Sequence, residues 1–198
     1  MEERPILFSA PMVQAILAGQ KTMTRRVVKI NESGRVSRGG RQWETYSKDI
    51  YLACPYGVVG DRLWVRETWT NNNVMPICDR PHGDYIYRAD ITENGASKWA
   101  ASWKPSIHMF RIASRINLEI TGVKIERLNQ ISNADILREG IRSESCNICV
   151  HTGGSGCDSC FSILKPFREL WDSINGKTPG KSWDDNPWVW SVSFRRCD

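Results

Sequence analysis

The sequence predicts an α+β domain in which strands outnumber helices. Three observations carry this: strict two-residue alternation over residues 62–68 and 115–121, two short helical stretches each closed by a glycine, and one longer amphipathic helix near the C-terminal end. A chain of 198 residues suits one domain, residues 1–198, with a sizeable core and room for an inserted subdomain. Hydrophobic residues are 40% and charged residues 25%, so neither a disordered nor a membrane chain is indicated. No apolar run reaches the ~20 residues of a bilayer span. The start, Met-Glu-Glu-Arg-Pro, lacks the basic-then-apolar order of a signal peptide, so a cytoplasmic protein is expected.

In chain order, residues 4–10 hold a short apolar run that suits a first strand. Pro11 then fits the first turn of a helix, Val13, Ile16 and Leu17 recur at helical spacing, and Gly19 is a suitable C′ residue. A strand is expected over 22–30. The Gly-, Ser- and charge-rich stretch 31–50 reads as a mobile excursion or a β-hairpin. After the Gly60-Asp61 turn, Leu63, Val65 and Glu67 share one strand face, and Arg62, Trp64, Arg66 and Thr68 share the other. Glu67 is thereby directed inward, where a carboxylate needs a partner. A short strand is expected over 85–89, and His82 and His108 read as structural.

Ile116, Leu118 and Ile120 define the buried face of a strand over 113–125. Ser132 is an N-cap for a short helix that Gly140 ends just after Glu139. Leu164, Phe167, Leu170, Trp171 and Ile174 then mark the amphipathic helix, with Pro166 in its first turn, and residues 188–194 form the last strand.

The densest chemistry lies in residues 16–26, ILAGQKTMTRR, which combine a helix stop, an amine, two hydroxyls and two guanidiniums. In an extended chain Lys21 and Met23 face one way and Thr22 and Thr24 the other. If the turn at Gly19 continues through Lys21, the amine swings round to Thr24 instead. Lys+Arg number 27 against 22 Asp+Glu, a net +5 that suits a nucleotide or nucleic-acid partner. Nine Trp supply core, and equally stacking surface for bases.

Cys146-x-x-Cys149 and Cys157-x-x-Cys160 are separated by seven residues rich in glycine. That spacing fits one tetrahedral zinc held by four thiolates, with His151 a minor alternative ligand. Its closed coordination sphere implies a structural metal in an inserted knuckle, residues 142–162. Cys54, Cys78 and Cys197 read as ordinary reduced cysteines.

The opening run resembles the signature of ASCH-domain proteins, which share the PUA-like β-barrel, and especially the small N4-acetylcytidine amidohydrolases. GDRLWVRETW, FRELWDSIN and the closing NPWVW resemble phage and prophage members, and Glu139-Gly140-Ile141 is similar to the carboxylate-bearing helix end of the amidohydrolases. The resemblance implies a mixed, mostly antiparallel β-barrel with flanking short helices, to which the zinc knuckle is an insertion. It also implies an amidohydrolase of N4-acylated cytidine-type nucleosides or bases, with Thr24 as nucleophile, Lys21 as its base and Glu139 as acid/base; Glu67 is the substitute carboxylate. Arg26 is placed to stabilise an oxyanion, and Glu67, Arg66 and Trp64 join it as candidate substrate-binding residues. An RNA-binding module without turnover, or a ribonuclease, remains the alternative, so the expected partner is a modified nucleoside or RNA. The sequence carries no mark of oligomeric state.

Overall fold

A computed structural model of the chain describes residues 1–71, 85–91, 102–141 and 163–197. The strands are β1 (Glu3–Leu7), β2 (Met23–Val27), β3 (Val36–Arg38), β4 (Arg41–Trp43), β5 (Arg62–Arg66), β6 (Trp69–Asn71), β7 (Tyr85–Tyr87), β8 (Asn117–Arg127) and β9 (Trp188–Cys197). The α-helices are α1 (Ala10–Leu17), α2 (Asn133–Arg138) and α3 (Leu164–Asn175). The chain divides into two compact units, Met1–Gly19 with Pro55–Gly122 and Phe194–Asp198, and Gln20–Cys54 with Val123–Ser193. Strands β8 and β9 run through both.

In the first unit the strand order is β1-β5-β8-β9. β1 runs parallel to β5, pairing Glu3 with Arg62 through Leu7 with Arg66, and β5 runs antiparallel to β8 with Leu63 opposite Leu118. The alternation read from sequence is realised, because Leu63, Val65, Leu118 and Ile120 are all buried. Helix α1 buries Val13 and Ile16, leaves Leu17 partly exposed, and is fixed by Gln14 Nε2 donating to the Ala89 carbonyl at 2.8 Å. A second cluster gathers Trp69, Tyr87, Met109 and Ala113 around the β6–β7 hairpin.

The Gly60-Asp61 turn has a definite task in this unit. The Asp61 carboxylate accepts the backbone N–H of Glu2 at 2.9 Å and of Val58 at 3.2 Å, and takes Arg4 Nη1 at 3.3 Å. It thus ties the first strand to the turn before β5. The backbone passes so closely that a Cβ on Gly57, at φ +120°, would lie 2.5 Å from Arg4 Nη1 and 2.9 Å from Asp61 Oδ2.

In the second unit the order is β8-β9-β2, with β2 antiparallel to β9 from Met23 opposite Ser193 to Val27 opposite Val189. Its core joins Leu128, Ile136, Ile163, Phe167, Trp171 and Val189, so α2 and α3 cover one face of these strands. Of the apolar residues spaced along α3, only Phe167 and Trp171 are buried, whereas Leu164, Leu170 and Ile174 keep solvent exposure. Residues 31–50 contain a hairpin, β3 against β4, turned by Gly39 and Gly40 at φ +57° and +78°, as a tight mirror-image turn requires.

The expected closed barrel is not formed. Among the described residues the strand order is linear, and β1 and β2 each have one strand neighbour. Just before β2 the chain pairs with the end of α2, through the isolated Lys21–Glu139 bridge. The expected zinc knuckle, with Cys146, Cys149, Cys157 and Cys160, lies outside the described residues.

The backbone N–H of Glu2 is the largest influence on Asp61 and, with Val58 and Arg4, holds its carboxyl below the usual range against burial. A carboxylate with a depressed folded-state pKa adds stability above its unfolded pKa, and that stability is lost as pH falls through the folded value. Asp61→Asn is therefore expected to lower the unfolding free energy at neutral pH by about 1–3 kcal/mol. In urea titrations the difference from wild type should shrink at acid pH; equal stability at neutral pH would contradict the role of this turn.

Candidate functional site

The site is built at the C-terminal end of α2. Ser132 Oγ accepts the Asp135 N–H at 3.2 Å and starts the helix. Gly140, at φ +87°, ends it: its N–H bonds the Leu137 carbonyl at 2.9 Å and the Ile141 N–H bonds the Ile136 carbonyl at 3.4 Å. This double closure needs a left-handed residue at Gly140 and leaves Glu139 as the cap. The chain just before β2 runs antiparallel alongside, with the Thr22 N–H on the Arg138 carbonyl at 2.8 Å and Lys21 bridged to Glu139. Gly19, at φ +70° after α1, releases the chain toward this bridge.

Three charged side chains are buried together here. Lys21 is 2% exposed, Arg25 3% and Glu139 9%. Lys21 Nζ donates to Glu139 Oε2 at 2.7 Å and to the Glu139 backbone carbonyl at 2.9 Å. Arg25 Nη1 donates to the other carboxylate oxygen, Oε1, at 3.2 Å. Arg25 continues outward, with Nε on Glu126 Oε1 at 2.9 Å and Nη2 on Asp135 Oδ2 at 3.0 Å. Lys124 Nζ caps the outer side, 2.8 Å from Glu126 and 3.5 Å from Asp135.

Burial is the largest influence on Lys21 and pushes its ammonium below the usual lysine range. Arg26 and Arg25 push the same way, against the Glu139 carboxylate, which favours the charged form. Burial also pushes the Asp135 carboxyl up, but Lys124 and Arg25 outweigh it and hold it below the usual range. The cluster therefore sets an amine made easier to deprotonate against a buried carboxylate at 2.7 Å.

The remaining candidates fall elsewhere. Alternation along β2 places Thr24 and Arg26 on the face opposite Met23 and Arg25, and Thr24, paired with Val192, is buried. Glu67 belongs to the first unit and is 1% exposed. There Arg115 grips it with Nε on Oε1 at 2.9 Å and Nη2 on Oε2 at 3.1 Å, while its Nη1 and Nη2 reach Asp90 at 2.7 and 2.8 Å. Arg66 and Trp64, also in the first unit, stack on each other, the guanidinium carbon 4.6 Å from the ring centroid.

No protein-family model matches the chain, and comparison with curated proteins finds no match. Among solved structures the chain is similar to an ASCH domain from Lactobacillus crispatus JV V101, at 11% identity and a TM-score of 0.41, over 98% of this chain and 79% of that one. It is also similar to a protein from Enterococcus faecalis V583 described by the family model DUF984, at 12% identity and a TM-score of 0.44, over 100% of this chain and 81% of that one.

Sequence reasoning left Glu126 and Asp135 out of the site and saw in Arg25 only a cation near Lys21. Arg25 was legible in principle, since in an extended chain it shares a face with Lys21 and Met23. Glu126 and Asp135 were not, because each reaches the site from a different element.

A lysine whose folded-state pKa is depressed releases its proton before the unfolded chain does. Between that lowered value and the ordinary lysine value near 10.4 the unfolded state holds the extra proton, so stability rises with pH across the window. Lys21→Met abolishes this contribution. The unfolding free energy of wild type minus that of Lys21→Met is expected to increase as pH rises toward the ordinary lysine value; a flat difference would contradict burial of a titrating amine at this position.

Proposed function

We propose that this chain is an ASCH-type hydrolase that cleaves an amide on the exocyclic amine of a cytidine-type nucleoside or base, with Lys21 and Glu139 as its proton-exchanging pair. The observation that carries the reading is the 2.7 Å contact between a buried amine and a buried carboxylate, at two positions that the resemblance to N4-acetylcytidine amidohydrolases singles out. Amide hydrolysis adds water to the carbonyl and returns a carboxylic acid and an amine. It needs one group to take a proton from the attacking oxygen and one to protonate the departing nitrogen, and an amine–carboxylate pair can do both in turn.

The placement of Thr24 on the other face of β2 favours water over its hydroxyl as the attacking group. Thr24→Ala keeps activity under water attack and loses it under hydroxyl attack. Arg26 shares the Thr24 face of β2, so its part in this reading is the charge it places near Lys21, not a contact with the reacting carbonyl.

A second reading, RNA binding without turnover, is favoured by a groove in the first unit lined by Trp64, Arg66, Ile107, His108, Phe110 and Arg111. Two guanidiniums flank the buried Trp64 ring, and Phe110, 62% exposed, offers an open aromatic face beside them on which a base of a single strand can stack. The four knuckle cysteines are proposed, from their spacing, to hold one structural zinc.

Incubation with N4-acetylcytidine is expected to release acetate, and Lys21→Ala to lower kcat by about 10²-fold or more. Absence of acetate, with salt-dependent binding of single-stranded RNA that Arg66→Ala and Phe110→Ala weaken, would replace the hydrolase reading with the second. Elemental analysis of freshly purified chain is expected to find one zinc; none would remove the knuckle proposal.

A further inference from the structure

Glu139 occupies a position that chemistry disfavours twice, because it is buried and because a carboxylate at a helix C-terminus faces the negative end of the helix dipole. Lys21 answers only one of its two oxygens. The other is held by Arg25, whose further donors go to Glu126, Asp135 and the Met23 sulfur. A guanidinium engaged on three carboxylates from two separate elements has little rotational freedom, and its planar fork transmits that constraint to Glu139.

We infer that Arg25 is the positioning residue of this site: it fixes Glu139 Oε1 so that Oε2 is presented to the Lys21 ammonium. The inference rests on the hydrolase reading for its catalytic consequence, but its geometry stands apart from any substrate. A guanidinium does not act as a proton donor or acceptor in proteins, so Arg25 orients the pair without joining the transfer. The cluster then separates two tasks: Lys21 and Glu139 exchange the proton, and Arg25, braced by Glu126 and Asp135, sets their direction. Lys124, half exposed and bonded to the two bracing carboxylates, closes the network toward solvent.

The charged groups facing Lys21 are Glu139 from the end of α2 and Arg25 and Arg26 from β2, with Glu126 and Lys124 of β8 and Asp135 of α2 around Arg25. Removing the Arg25 charge takes away a repulsion on the ammonium and leaves Glu139 to Lys21 alone. Both changes favour protonated Lys21.

The test is a ¹³C NMR titration of Lys21 in the folded full-length chain, with its signal assigned by Lys21→Arg. In Arg25→Gln the titration midpoint is expected to rise by on the order of one pH unit; an unchanged midpoint in a folded variant would overturn the inference. Arg25→Lys keeps the charge and the fold but loses the fork. It is expected to leave the midpoint near that of wild type while lowering kcat for acetate release tenfold or more at unchanged KM, and a wild-type kcat would overturn the positioning role. If wild type releases no acetate, the amidohydrolase reading fails, and the Arg25→Gln midpoint still decides whether the Arg25 charge acts on the Lys21–Glu139 pair.

Discussion

The burial of the Glu139 carboxylate is the constraint on which the second unit depends. An ion removed from water costs several kcal/mol unless it is paired and its oxygens are satisfied. The structure meets that cost with one ammonium, one guanidinium and a helix end whose geometry Gly140 fixes. Each of these brings its own requirement. Lys21 must leave α1 and turn antiparallel to Glu139, which Gly19 permits; Arg25 must lie on the inner face of β2, which alternation provides; and Arg25, itself buried, must find further acceptors, which β8 and α2 supply in Glu126 and Asp135.

A second buried carboxylate in the same chain shows what distinguishes such a site from a clasp. Glu67 is buried as deeply as most of the core, and it too is held on both oxygens. Its partner is the Arg115 guanidinium, which also grips Asp90 and lies 4.0 Å over the Tyr87 ring. The Arg115 guanidinium does not give up a proton near neutral pH, and burial pushes the neighbouring Tyr87 phenol up to about 12. The Lys21–Glu139 pair differs in one respect that matters chemically: its cation is an amine whose proton is loosened by burial.

Much of this was legible before any coordinates. Alternation placed Leu63, Val65, Leu118 and Ile120 inside, and the glycines at 19 and 140 ended α1 and α2 where they were expected to. The meeting of Lys21 with Glu139, 118 residues apart, followed from resemblance rather than periodicity, since no local pattern specifies a long-range partner. Three features were not legible. Closure of the sheet depends on long-range pairing of its edge strands, which no local pattern specifies. The Arg25 network depends on side chains arriving from β8 and α2, whose approach is set by packing around Leu128, Ile136 and Phe167. The outward residues of α3 followed the helical period without being buried, because Phe167 and Trp171 already fill the available core.

The central claim is that Lys21 and Glu139 form one energetically coupled buried pair. A double-mutant cycle in urea unfolding at neutral pH, with Lys21→Met, Glu139→Gln and the two combined, tests it most directly. The combined variant is expected to be more stable than the sum of the single losses predicts, with a coupling of about 1 kcal/mol or more. Losses that simply add would contradict the account, because two groups that do not sense each other's charge cannot share a proton.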